Sequence, residues 1–314
     1  MKHNLLLLIS IVFCITACNY QSGDKQQVNE STTDTISCPP ASSRLDIQKI
    51  ENITGMKGAE KNGEYKITVP QNDLNVMVDG FKIIPPMGLG SWAAFTSCGD
   101  TAMVMGDIIV TENDLKPVQQ EVIRQGFSIT AIHNHFVRNS PNVMYMHIGG
   151  KGKIEDMSMG VKAIFDKVKE SRGKNPAERK ADSVTNTLNI AWLDSIIGHK
   201  GEMNKGVYKY TIGRPDVPLT EHGIPVSSFM GFNTWIAWQG TPERAAVAGD
   251  FTMLEHEVGP VIKALVENGI EVVAVHNHML HEKPKVFFLH YWAVGNSVHL
   301  ARGLKAALDK TVSH

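Results

Sequence analysis

Charge of one sign is what this sequence has little of: 31 Lys and Arg stand against 32 Asp and Glu in 314 residues. A protein that holds nucleic acid needs a concentrated basic face, so no nucleic-acid partner is expected. Gly and Pro are used sparingly, at 27 and 14 positions, which excludes collagen-like repeats and low-complexity disorder. The common catalytic strings are missing as well: there is no G-x-S-x-G, H-E-x-x-H, C-x-x-C or P-loop. Met87-Gly88-Leu89-Gly90 is a weak match to a phosphate loop and reads as a turn before a strand. What the chain does have is 13 histidines, and they are not scattered.

The apolar run from Leu5 to Ile15 follows a positive Lys2 and is too short to span a bilayer as a mature helix. It ends in Thr16-Ala17-Cys18, small residues before a cysteine, the pattern of a bacterial lipobox. Residues 1–17 are therefore expected to be a lipoprotein signal peptide, with Cys18 acylated and the membrane reached through that lipid. The polar segment 18–45 cannot bury a core and is expected to be a flexible tether. These expectations place the protein in a bacterial cell envelope, facing the periplasm or the exterior. Of the four cysteines, Cys38 and Cys98 would then remain, as a disulfide in an oxidising compartment or as two unpaired buried thiols.

A single shift of 143 residues aligns the two halves without a gap. Gly63-Glu64-Tyr65-Lys66 falls on Gly206-Val207-Tyr208-Lys209, Trp92 on Trp235, and Gly106-Asp107 on Gly249-Asp250. His133-Asn134-His135 falls on His276-Asn277-His278, and His147 on His290. Between Gly126 and His147, eight of twenty-two positions are identical, where unrelated sequence would give roughly one or two. The chain is a duplication.

Each half reads as two strands, a helix, two strands and a closing helix. Strands are expected near 92–95, 102–110, 128–135 and 143–149, with Gly106 a candidate bulge. Thr111-x-x-Asp114 caps a helix in which Pro117, like Pro260 in the second copy, fits the first turn. The fold class predicted is α+β: two tandem ββαββα repeats, helices packed on antiparallel sheets. The domains would be 46–170 and 206–314, joined by a segment 171–205 that contains a helix.

Positions two apart in a strand share a face, so His133 and His135 project together. A tight hairpin with Pro141 near its turn would set His147 opposite His135, and the same holds for His276, His278 and His290. Three imidazoles on one hairpin suit a transition metal, zinc first, with copper, nickel or iron as alternatives. Glu112 and Glu255 could serve as ligand, second partner or general base; Asp107 and Asp250 could cap a turn or orient a His N–H. Asn134 and Asn277, on the other face, read as structural. His281 lacks a counterpart and reads as an exposed loop residue, and Met144 and Met146 read as packing.

Gly88-Leu89-Gly90-Ser91-Trp92-Ala93-Ala94-Phe95, Met105-Gly106-Asp107, Phe288-Leu289-His290-Tyr291-Trp292 and the two His-Asn-His blocks together resemble the LppY/LpqO lipoprotein family. The resemblance covers roughly residues 46 to 312 and implies an exported lipoprotein with a duplicated domain. That domain has no known function, so the resemblance implies no activity or catalytic residue. Three functions fit the residues. One is an envelope protein that binds one metal ion per repeat, or one at the repeat interface. The second is a metal-dependent hydrolase with Glu112 or Glu255 as base. The third is a metal-free protein that binds a small organic or cell-wall ligand.

Overall fold

The computed structural model describes residues 45–99, 101–173 and 182–311. The expected signal peptide, the acylated Cys18, the tether and Cys38 lie outside the described residues. Cys98 is disulfide-bonded. Among the described residues no helix is long and apolar enough to cross a membrane.

The first repeat opens with helix α1 (Ile47–Thr54) and the hairpin β1 (Ala59–Lys61) and β2 (Glu64–Pro70). Short strands β3 (Met77–Val78) and β4 (Phe81–Lys82) precede the long pair β5 (Gly90–Cys98) and β6 (Thr101–Thr111). Helix α2 (Glu112–Arg124), β7 (Ser128–His133), the short β8 (Asn139–Ser140), β9 (Val143–Gly152) and α3 (Ile154–Ser171) complete it. The second repeat copies this order. It runs through α4 (Ile190–Ile197), β10 (Glu202–Asn204), β11 (Val207–Gly213), β12 (Thr220–Glu221) and β13 (Ile224–Pro225). Then come β14 (Asn233–Gly240), β15 (Ala245–Leu254), α5 (Glu255–Glu267), β16 (Glu271–His276), β17 (Glu282–Lys283), β18 (Val286–Gly295) and α6 (Ser297–Leu308).

The α+β class and the duplication hold, and the ββαββα unit is the core of each copy. Sequence reading missed what precedes that core, a capped helix and a hairpin. Helix α1 starts at Asp46, whose carboxylate accepts from Lys49 N, and stops at left-handed Gly55; α4 does the same with Asn189 and Gly198. The helix expected to connect the domains is thus the first element of the second repeat.

Each repeat forms one antiparallel six-stranded sheet, in the orders β1-β2-β5-β6-β9-β7 and β10-β11-β14-β15-β18-β16. Strand alternation divides the side chains between two faces. On β6, Val104, Ile108 and Val110 meet Val118 and Val122 of α2 and Val161, Ile164 and Phe165 of α3. Large side chains buried this fully contribute ~1.5–3 kcal/mol each. The alternate residues turn inward. Ala94, Met103 and Met105 pack with Phe232, Met279 and Phe288 of the second copy, while Ile109 and Tyr145 pack with Ala246, Ala248 and Trp292. The two sheets therefore lie face to face with helices outside, a four-layer arrangement. Met146 lies in the helix-side core and Met144 packs against it, as packing residues should.

Two local expectations change. Gly106 and Gly249 are not bulges: both sit in unbroken register, and the bulges fall at Ile129–Ala131 and Val272–Ala274. Glycine stands at 249 because a Cβ there would overlap the Tyr291 hydroxyl and the Trp235 carbonyl. Pro117 and Pro260 lie beyond the first turn, inside their helices. The carbonyls they leave free, on Asn113 and His256, belong to exposed residues that water can serve.

Candidate metal centre between the repeats

The register lays a row of side chains across the inner face of each sheet. Thr68 pairs with Trp92, Trp92 with Asp107, Asp107 with His147, and His147 with Ala131. In the second copy Thr211, Trp235, Asp250, His290 and Ala274 repeat the row. Asp107 and Asp250 are therefore mid-strand residues in contact with the histidines, and not turn caps.

The tight-hairpin geometry is corrected. His133 pairs with Tyr145 and ends β7. The chain then leaves the sheet for β8, which pairs with β3, so Pro141 sits just before β9 and not at a hairpin turn. His135 is consequently a loop residue, stacked on Tyr145 at 3.3 Å between ring centroids. His278 lies likewise on Phe288 at 3.4 Å. All six imidazoles still converge, but by meeting across the repeats. His133 stacks on His276 at 3.8 Å between ring centroids, while His135 meets His290 at 3.8 Å and His147 meets His278 at 4.0 Å with the rings tilted by 35° and 34°. Asn277 clasps the partner sheet, its amide donating to Thr130 O at 3.0 Å, while the Thr130 hydroxyl donates to His278 O at 2.8 Å. This supports the structural role expected of Asn277.

The six histidines and both aspartates are at most 8 % exposed. Burial, and in most cases repulsion among the rings, holds every imidazole below its usual pKa, His133 at about 3. They are neutral at pH 7 and offer lone pairs. Burial pushes the Asp107 carboxyl up to about 8 and raises Asp250 as well. His147 Nδ1 lies 3.2 Å from Gly106 O and His290 Nδ1 2.9 Å from Gly249 O. A carbonyl only accepts, so the proton is on Nδ1 and Nε2 is left as the donor atom, the second-sphere device common to metal-binding histidines.

Among the described residues those Nε2 atoms have no hydrogen-bond partner. Neither do both ring nitrogens of His133, His276 and His278, nor Oδ1 of Asp107 and of Asp250. Each such buried group costs ~1–3 kcal/mol unless something binds it. Among the described residues three sets bring their ligand atoms within 4.8 Å of one another: His133, His276 and His290; His147, His276 and His278; and Asp107, His133 and His147. Neutral imidazoles with a carboxylate suit a borderline divalent ion, so the residues fit the metal that the sequence suggested.

Glu112 and Glu255 are not brought to the cluster. Both are exposed residues that begin α2 and α5, and Glu112 accepts from Asn142. A helix placed outside the sheet pair cannot deliver its first residue to the inner face. His281 is exposed and its ring lies 4.3 Å from that of His222, tilted by 35°.

A cavity of about 530 Å³ opens onto Asp107, His135, His147, Asp250, His278 and His290. Its walls carry Trp92, Trp235, Lys66 and Lys209, four residues that the repeat alignment had matched and that sequence reading left without a role. Their retention in both copies was the signal. Each tryptophan also crosses to the other repeat: a Cβ on Gly88 would lie 3.2 Å from Trp235, and one on Gly231 3.0 Å from Trp92.

The family model described as Domain of Unknown Function (DUF1259) matches residues 48–167 and again 191–310. The chain belongs to that family and carries its domain twice. No curated protein matches the sequence. Among solved structures, the trimeric bacterial microcompartment shell protein PduB aligns at 10% identity and TM-score 0.20, over 82% of this chain and 92% of that one. EtuB from Clostridium kluyveri aligns at 7% identity and TM-score 0.20, over 82% and 90%. Scores this low carry no weight for function.

Proposed function

We propose that this is an envelope protein, tethered through Cys18, that binds a transition-metal ion at one centre shared by its two repeats. The observation that carries the reading is the buried meeting of six neutral imidazoles and two aspartates, each with at least one donor atom that has no hydrogen-bond partner among the described residues. His133 and His276 each belong to two of the three ligand sets, which favours a shared centre over one independent site per repeat. Zinc is the first candidate, then copper, nickel or iron. Bound there, the ion would supply Lewis acidity, and the protein supplies neutral imidazole donors, with the tautomer fixed at His147 and His290.

The test is elemental analysis of the soluble mature fragment, purified without a His tag or chelator. H133A/H135A and H276A/H278A each leave one ligand set intact, so each should lower metal content and the quadruple variant should abolish it. A fragment that carries no metal and takes up none of Zn²⁺, Cu²⁺, Ni²⁺ or anaerobic Fe²⁺ would sink the reading. The tether is tested separately: C18A should move the protein from the membrane to the soluble fraction.

One observation favours a second reading, a metal-dependent enzyme acting on a small molecule. The cavity reaches the cluster directly, and an open approach suits catalysis better than storage. In that case Asp107 and Asp250 replace Glu112 and Glu255 as candidate bases, since only the aspartates lie among the imidazoles.

A further inference from the structure

Lys66 and Lys209 occupy the same position in the two repeats, and both line the cavity above the cluster. Each ammonium lies over the tryptophan of its own sheet, Lys66 4.3 Å from the Trp92 ring and Lys209 4.2 Å from that of Trp235. Lys66 also lies 5.3 Å from the ring of Phe229, which belongs to the other repeat. Among the described residues neither ammonium has an ion pair, and the two cations repel one another. The exposed Lys61 and Lys205 add two more positive charges to the lining. Among the described residues its only acids are Asp107 and Asp250, buried at the floor.

We propose that this cavity is an anion site in which the carboxylate or phosphate group of a small ligand is held between Lys66 and Lys209. The proposal rests on the same site as the metal reading and names the ligand that the site admits. Half-buried cations that form no ion pair are costly in a low-dielectric cleft, and an anion between them lowers that cost. Burial lowers both amines to about 8, outweighing the pull of Glu64 on Lys66 and of Asp250 on Lys209. About 530 Å³ is the volume of a small-molecule site, and the Trp92 and Trp235 rings supply apolar walls for the rest of such a ligand. A ligand anchored at the lysines would extend toward His135, His147, His278 and His290 on the floor.

Calorimetric titration of the metal-free fragment with inorganic phosphate, and separately with benzoate, tests the idea. Binding should be saturable, weaken as ionic strength rises, fall at least tenfold in K66Q and in K209Q, and disappear in the double variant. Half-buried lysines tolerate glutamine, and circular dichroism verifies that the variants are folded. Equal binding by wild type and K66Q/K209Q, or no binding of either anion to folded wild type, overturns the proposal. Elemental analysis of the same samples separates the two readings: zinc without anion binding defeats this one alone, and anion binding without zinc defeats only the metal centre.

Discussion

His133 and His276 occupy the same position in the two repeats and stack on each other, 3.8 Å between ring centroids at an interplanar angle of 20°. Only a near-twofold arrangement brings a residue against its own copy. The reciprocal pairs His135–His290 and His147–His278 show the same relation. The duplication thus places one strand end against its twin, and the cluster exists because the two sheets face each other.

That centrality makes His276 more sensitive than any peripheral histidine. H276Q removes a member of two ligand sets and should weaken metal binding at least tenfold. H281Q, at the exposed loop histidine, should leave it unchanged. Competition with a chromogenic chelator measures both, and equal effects would show that the stacked position has no special role.

Metal removal should also cost stability, because the ion would satisfy buried donors that the unfolded chain leaves to water. Ligand held at a hundred times its dissociation constant adds ~2.7 kcal/mol. Melting of chelator-treated and zinc-replete protein should show a clear upward shift with zinc, and the quadruple histidine variant should show none.

The metal-free protein should be acid-sensitive. Folded imidazoles held below their usual pKa bind fewer protons than unfolded ones, so their contribution is lost as pH falls through about 6.5. Asp107 and Asp250, raised by burial, act in the opposite sense: the folded state keeps their protons, and stability from them declines as pH rises, for Asp107 up to about 8. Six imidazoles against two carboxylates leave a net loss on the acid side, each group worth ~1.4 kcal/mol per pH unit across its window. Denaturant midpoints between pH 7 and pH 5 should fall steeply, and less so in the quadruple variant.

The identity of the site residues was legible because a duplication preserves what it needs at a fixed offset, and the histidines, aspartates, lysines and tryptophans all lie 143 apart. Strand alternation also foretold that His133 and His147 share a face. Where the copies meet was not legible. Facing of two sheets is a non-local choice made by apolar residues such as Met105 and Phe288, and no spacing within one repeat encodes it. His135 was misplaced because the loop after β7 looks short in sequence, yet it spends two residues on pairing β8 with β3.

The two repeats differ in the arginine that binds the carboxylate at the start of their equivalent helices α2 and α5. The helix cap Asp114 is bound by Arg172, with 2.7 Å from Nε to Oδ2, while its counterpart Glu257 is bound by Arg214 at 2.8 Å. These arginines are not equivalent in sequence. One follows α3 and the other follows β11, yet each reaches back to a backbone carbonyl as well, Ile109 O or Thr252 O. Both copies thus neutralise a buried carboxylate with an arginine drawn from a different place. Removing one partner leaves a charge stranded at 3 % exposure, so R214M should destabilise the protein by ~3–5 kcal/mol. R214M/E257Q should recover much of that loss, since no buried charge is then left alone. Chemical denaturation of the two variants measures the difference, and equal destabilisation would show that Arg214 acts through packing and not through its charge.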